Sequence, residues 1–383
     1  MKTVRLGIVG LGMGAVHAAN VQSGKVRRVV VTAVADSNPE KYSRAPGARA
    51  FATAEELIGS GLVDAVLIAT PHYSHTSLGI KALRAGLHVL VEKPISVQLA
   101  DAQRLLAAHR GKKQVFAAMF NQRTDPFYQK IRALVRGGEL GEFHRISWTV
   151  TDWFRPAAYY ASSAWRATWA GEGGGILLNQ CPHNLDLLQW MFGMPVRLRA
   201  FCHFGRYHDI EVEDDVTAYL EFANGATGVF TASTGEAPGT NRLEVAAERG
   251  RLVYENDRLT FTRNAVPAAE FSRTTKEPFA KPATDEVVFP LAGHGGQHAE
   301  LLQNFIDAIL DGTPLLAPAA EGLHSVGLAN AMLLSTWTDR TVSLPISGRA
   351  YAAWLKKKIA TSKRKPRKKS GVTAADLAKS FGR

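Results

Sequence analysis

The sequence predicts an α/β protein in two parts, a doubly wound parallel sheet followed by an α+β domain with an open, mostly antiparallel sheet. Three observations predict it. Over the first 122 residues, short apolar runs alternate with helical patterns, the signature of a parallel sheet with helices on its faces. Near residue 142 the texture changes to longer strands of alternating polarity. Two amphipathic helical stretches then follow.

In chain order, VRLGIVG, RRVVVTAVAD, DAVLIATP, HVLVEKP and QVFAAMFN read as buried strands. Among them, SHTSLGIKALRAG is a helix ending on Gly86, and Thr53 with Glu56 forms a capping box. EFHRISWTV, VRLRAFCHF, DDVTAYLEF, ATGVFTAST, NRLEVAAE and RLVYEND are strands of the second part, with Asn224-Gly225 as a two-residue hairpin turn. QHAELLQNFIDAILDG and HSVGLANAMLLSTW are its helices, and Gly312 lies just past the end of the first. The divisions are therefore 1–122, 123–345 and a basic, mobile extension over 346–383.

The 383 residues, 46% hydrophobic, suffice for two cores. Cys181 and Cys202 make neither a disulfide framework nor a thiolate metal site, which fits a reducing, cytoplasmic setting. Lys2, Arg5 and the apolar run after them could be misread as a secretory signal, but the glycines there sit where a phosphate loop needs them. No stretch approaches the roughly 18 apolar residues of a membrane span. The net charge of +12 resides in the tail: residues 356–383 carry eleven Lys or Arg against one Asp, leaving +2 for the rest. Without interleaved aromatics, that tail reads as a solvated extension rather than a nucleic-acid platform.

Ligands of an open parallel sheet bind at the carboxyl ends of its strands. After the first strand, Gly10, Gly12 and Ala15 have the G-x-G-x-x-[GA] spacing and open a helix running toward Gln22. Backbone amides of this loop, through Gly10, Gly12, Met13 and Gly14, can approach a pyrophosphate at the positive end of that helix. The second strand ends at Asp36, whose carboxylate can accept both ribose hydroxyls and would repel a 2′-phosphate, favouring NAD over NADP. Further strand ends present Thr70, His72 and His75, then Glu92-Lys93-Pro94, then Asn121. Lys93 is either a salt-bridged turn residue or, with its pKa lowered by burial, a group that polarises or deprotonates a substrate hydroxyl.

Gly10-x-Gly12-x-x-Ala15, Glu92-Lys93-Pro94 and GEGGGILLNQCPHNLDLLQW, taken together, resemble the Gfo/Idh/MocA family of nicotinamide-dependent oxidoreductases over residues 3–345. The resemblance implies a Rossmann domain, a second domain whose open sheet mediates homodimers or homotetramers, and a catalytic lysine followed by a cis proline, here Lys93-Pro94. The family's Asp-x-x-x-His and the Asp three residues on fall on Asn179, His183 and Asp186. Asn179 departs from the commoner aspartate: an amide orients a hydroxyl but cannot ionise, so the proton work passes to His183.

Pro182 is suited to a helix's first turn, which places His183 in that turn, Asn179 on the incoming loop and Leu185, Leu188 and Met191 on a core face. By spacing alone His183 is a core histidine and Asp186 a first-turn acid. Beside a dinucleotide loop and Lys93, His183 becomes a catalytic candidate and Asp186 the partner that orients it. Trp165 and Arg166 read equally as lining for the substrate and nicotinamide pocket and as a surface loop with a buried tryptophan. Tyr159, Tyr160, Trp165 and Trp169 suit stacking on a sugar ring. His294 and His298 lack a third ligand, so no metal is expected. The expected activity is hydride transfer between NAD and a ring secondary hydroxyl of a sugar, glycoside, anhydrosugar or polyol. Two alternatives stand beside it: a redox-assisted glycosidase or lyase that recycles its NAD, and a non-catalytic NAD-binding regulator.

Overall fold

A computed structural model describes residues 2–111 and 113–363. Strands β1 (Val4–Val9), β2 (Val29–Ala35), β3 (Arg49–Phe51), β4 (Ala65–Ile68), β5 (His88–Val91) and β6 (Phe116–Ala118) form one sheet in the order β3-β2-β1-β4-β5-β6. Every pairing is parallel. Runs such as Ala65 to Ile68 are buried on both faces, which is why they read as continuous apolar strings. Helices α1 (Gly14–Gln22), α2 (Ala54–Gly59), α3 (His72–Arg84) and α4 (Leu99–Ala108) connect the strands, and the Thr53–Glu56 capping box starts α2. β3 is only three residues long and partly buried, too short to show a pattern in the sequence.

After α5 (Pro126–Arg136) come β7 (Phe143–Val150), α6 (Ala157–Ala161), α7 (Pro182–Phe192), β8 (Arg197–Phe204), β9 (Glu213–Glu221), β10 (Thr227–Ser233), β11 (Asn241–Ala247), β12 (Gly250–Glu255), β13 (Arg258–Asn264), α8 (Ala268–Thr274) and β14 (Thr284–Val288). The chain closes with α9 (Gln297–Asp311), α10 (Gly322–Thr338), β15 (Val342–Ser343) and α11 (Gly348–Ala360). The second sheet runs β14-β13-β12-β11-β7-β10-β9-β8-β15, antiparallel except for the central β7–β10 pair. The hairpin at Asn224-Gly225 is present with a three-residue loop rather than two. The Phe222 N–H donates to the Ala226 carbonyl, the Gly225 N–H to the Phe222 carbonyl, and Gly225 takes a left-handed φ of 84°.

The inner face of the second sheet, with Trp148, Phe230 and Leu243, shares one core with α7 and α10. α7 is buried almost all round rather than along the Leu185, Leu188 and Met191 stripe alone. The outer face leaves Phe201 at 53%, Tyr219 at 43% and Val229 at 39% exposure.

Packing departs from the linear division in two places. Leu301, Leu302, Phe305 and Ile306 of α9, with Ala317, Ala319 and Val326, belong to the core of the first sheet. The apolar stripe of α9 shows that it packs but not on which domain. The basic extension also begins later than residue 346. α11 buries Tyr351 and Leu355, Tyr351 stacks on Trp337, and Ser362 donates a hydrogen bond to Glu211. In the sequence, the lysines of this segment mask its one-turn-spaced apolar pair. Residues 364–383, most of the expected mobile tail, lie outside the described residues.

Candidate active site

The carboxyl edge of the first sheet and the loops of the second domain enclose one cleft of about 760 Å³. At its first end, Gly10 takes φ 90°, and a Cβ there would stand 2.5 Å from the Ala69 carbonyl oxygen just past β4. A Cβ on Gly12 would meet nothing within 4 Å, so the loop's next residue faces open space at the start of α1. Asp36 accepts from the Leu11 N–H at 2.7 Å and the Asn38 N–H at 2.9 Å, and pairs with Lys41 at 3.0 Å. Arg44 donates to the Leu11 carbonyl at 2.9 Å. A loop with glycines at positions 10 and 12 at a helix N-terminus, with a carboxylate beyond it, fits the pyrophosphate and ribose of a dinucleotide. Lys41 and Arg44 follow in a short 3₁₀ turn and carry no motif that would mark them in the sequence.

At the centre, the Lys93-Pro94 peptide bond is cis. The Lys93 Nζ donates to the main-chain oxygen of Asn179 at 2.7 Å, joining the two domains. Burial lowers the Lys93 amine to about 8, with Glu92 opposing and the Arg166 guanidinium reinforcing that shift. Burial alone would raise the neighbouring Glu92, but its 2.8 Å contact with buried His17, helped by His298 and Lys93, holds it at about 2. His75 contacts the carbonyl oxygens of Pro94 at 2.8 Å and Thr70 at 2.7 Å, tying two strand ends together. His72 has Nδ1 3.3 Å from the Glu172 carbonyl and its ring 5.6 Å from that of Trp165. Burial pushes both histidines below the ordinary range.

At the second end, Asn179 is on the loop before α7 and His183 in its first turn, where Pro182 starts the helix. Phe120 lies edge-on to the His183 ring, with centroids 6.3 Å apart. The Arg166 guanidinium stacks over Tyr159 at 4.5 Å and Trp165 at 4.6 Å and donates to the Tyr159 hydroxyl at 2.7 Å. Trp153 and Arg155 complete the wall. Tyr160 and Trp169 do not join it: Tyr160 bonds Thr234, and Trp169 packs on Phe204 and Trp337.

Gly10, Gly12, Met13, Asp36, Thr70, His72, His75, Glu92, Lys93, Trp165, Arg166, Asn179 and His183 thus line one cleft. Gly14, Asn121 and Asp186 are not among its lining residues. Gly14 is buried in the first turn of α1. The Asn121 amide donates to Gln297 at 2.7 Å, so it anchors the start of α9. Asp186 is the larger correction. Its carboxylate is taken by buried Arg123, Nε to Oδ2 at 2.7 Å and Nη2 to Oδ1 at 2.6 Å, so it serves as the counter-ion of that guanidinium. Periodicity placed the acid but could not show a guanidinium arriving from residue 123. Glu172, buried beside Asn179, was also missed, although a lone charge inside GEGGG is a visible anomaly. His294 contacts Asp125 at 2.9 Å and His298 packs against the His17 ring. Among the described residues no three such groups are placed to hold a metal. Nor is any described helix long and apolar enough to cross a membrane.

Comparison with known proteins finds relatives along most of the chain. Inositol 2-dehydrogenase of Rhizobium meliloti is 26% identical over 350 residues, 89% of this chain and 99% of that protein. Myo-inositol 2-dehydrogenase of Thermotoga maritima is 26% identical over 352 residues, 89% of this chain and 98% of its own length. Among solved structures, the WlbA dehydrogenase of Bordetella pertussis in complex with NADH and UDP-GlcNAcA superposes with a TM-score of 0.75 at 25% identity, covering 90% of this chain and 100% of that one. Levoglucosan dehydrogenase with NADH and levoglucosan shares the fold, with a TM-score of 0.75 at 21% identity over 90% of this chain and 100% of that one. Residues 4–120 match the oxidoreductase family's NAD-binding Rossmann fold and residues 128–253 the GFO/IDH/MocA C-terminal domain. With both halves matched in order and the cleft between them, the chain belongs to the Gfo/Idh/MocA family and is one of its NAD-dependent oxidoreductases.

Proposed function

We propose that this oxidoreductase acts on a ring secondary hydroxyl of a sugar, glycoside, anhydrosugar or polyol. One observation carries the reading: an amine lowered to about 8, Lys93, lies in a single cleft that joins a dinucleotide loop to a chamber walled by Tyr159, Trp165, Arg166, Asn179 and His183. Bound NAD along Gly10, Gly12, Met13 and Asp36 supplies the acceptor for the substrate's hydride. Lys93 holds the reacting hydroxyl, takes its proton when unprotonated, and as the ammonium stabilises alkoxide charge. His183 is the second proton-handling group. The flat faces of Trp165 and Tyr159 and the polar groups of Arg166 and Asn179 fix the ring. The inositol 2-dehydrogenases among its relatives support this substrate class.

The reading extends to assembly and setting. The exposed Phe201, Tyr219 and Val229 suit a sheet face that pairs with a second copy, giving a homodimer or homotetramer. Two buried free cysteines suit a reducing, cytoplasmic compartment. The deciding experiment profiles NADH formation over inositols, free aldoses and glycosides. Turnover of at least one ring substrate, lost in Lys93→Ala, is expected; no NADH from any of them sinks the reading.

A further inference from the structure

We propose that Glu172 is a positioning residue for this reaction, holding the Asn179 amide with its oxygen toward the cleft and acting as counter-charge to Lys93. The proposal rests on the dehydrogenase reading. It accounts for the departure at 179: the acid expected there is supplied from the neighbouring loop, behind an amide.

Glu172 is 2% exposed in the middle of a glycine run, and a carboxylate buried there needs partners. It has them. One oxygen accepts from the Ala167 N–H at 2.6 Å. The other accepts from the Asn179 Nδ2 and stands 4.0 Å from Arg166 Nη1. The chain has little room to offer it elsewhere: Gly173 takes φ 85°, and a Cβ on it would stand 2.2 Å from Val97.

The chemistry follows from what each group can do. An ionised carboxylate only accepts, so the Asn179 NH₂ must face Glu172 and its Oδ1 must face away. That oxygen is 3.3 Å from the Tyr159 hydroxyl, whose own oxygen accepts from Arg166 at 2.7 Å and Gln180 at 3.2 Å. The Tyr159 proton is thereby directed at Asn179, and one Oδ1 lone pair remains for a substrate hydroxyl. Asn179 is gripped twice, by Glu172 through its side chain and by Lys93 through its main-chain oxygen. Burial raises Glu172 above the usual carboxylate range, while Arg166, the Ala167 amide, Asn179 and Lys93 draw it back. Tyr160 and Glu213 also feel its charge, and the His72 ring meets its carbonyl.

The test reads the Lys93 amine directly, by competitive acetylation of the full chain across pH with mass-spectrometric quantification at that lysine. In Glu172→Gln, losing the nearby negative charge destabilises the ammonium, so the midpoint moves below the wild-type value; an unchanged midpoint overturns the proposal. This arm needs no turnover, so it stands even if no sugar substrate is found. With a substrate in hand, Glu172→Gln lowers kcat roughly 10- to 100-fold, the scale of one charge-assisted contact. The double variant Asn179→Asp/Glu172→Gln regains most of it, because a carboxylate again stands at the cleft. A double variant no faster than Glu172→Gln alone also overturns the proposal. Should Glu172→Gln fail to fold, Asn179→Asp alone decides. Its new carboxylate shares one proton with Glu172, so the Lys93 midpoint stays near wild type, whereas a rise of about one unit overturns the contact.

Discussion

Arg123 grips Asp186 with two parallel bonds, 2.7 and 2.6 Å, where both side chains are fully buried. Arg123 also reaches Glu321 and the Leu316 carbonyl, so one guanidinium ties α7 to the segment before α10. Truncation of Asp186 to alanine leaves that cation buried against half its partners and is expected to remove about 3–5 kcal/mol of stability. Urea unfolding measures it. Folded Asp186→Ala should still bind NADH with near-normal affinity, because residue 186 does not line the cleft. Unchanged stability would show that the clamp contributes little.

Lys93→Ala is expected to lower turnover by about 10²- to 10⁴-fold, the range of a lost proton-transfer group. NADH binding, followed by fluorescence titration, should remain measurable, since Gly10, Gly12 and Asp36 are untouched. Turnover within a few-fold of wild type would remove Lys93 from the chemistry.

The pH dependence has a definite sign. A lysine amine accepts a proton only when unprotonated, so oxidation should rise as pH climbs through about 8 and level off above it. Below that value the ammonium dominates and the rate falls. An oxidation rate that is flat on both sides of that pH excludes the amine as the base.

Asp36→Ala is expected to weaken NADH about tenfold, or ~1.4 kcal/mol, by removing an acceptor for the ribose hydroxyls. NADPH should be weakened less, or bound better, because Lys41 loses its carboxylate partner and Arg44 stays beside it. Paired titrations with NADH and NADPH give the ratio. An unchanged ratio would place cofactor discrimination elsewhere.

On the second sheet, Phe201→Asp with Tyr219→Asp puts charge on the exposed apolar face without touching the core. Light scattering should report a smaller assembly than wild type and unaltered NADH affinity. An identical mass for both proteins would move the interface off this face.

The strands and helices around the cofactor loop were legible because each satisfies a local rule: buried apolar runs, a capping box, Pro182 at a helix start. Lys93, His183 and Asn179 were legible as motif positions, and the fold brings all three to one cleft. What escaped depends on long-range approach. Arg123 meets Asp186 across 63 positions and Lys41 meets Asp36 through a turn with no periodicity, while His17 meets Glu92 only because β1 and β5 share a sheet. Glu172 is intermediate, since its neighbours in sequence are anomalous but its partner Asn179 is known only from the fold.

The return of α9 to the first core bears on how the molecule is made. Leu302, Phe305 and Val326 complete an interior begun by Leu6 and Ile8, so the nucleotide-binding half cannot finish packing until the ribosome has passed Val326. The completing segment is encoded after the whole second sheet except β15. A fragment cut after residue 122 would carry the cofactor motif and lack the helix that seals it.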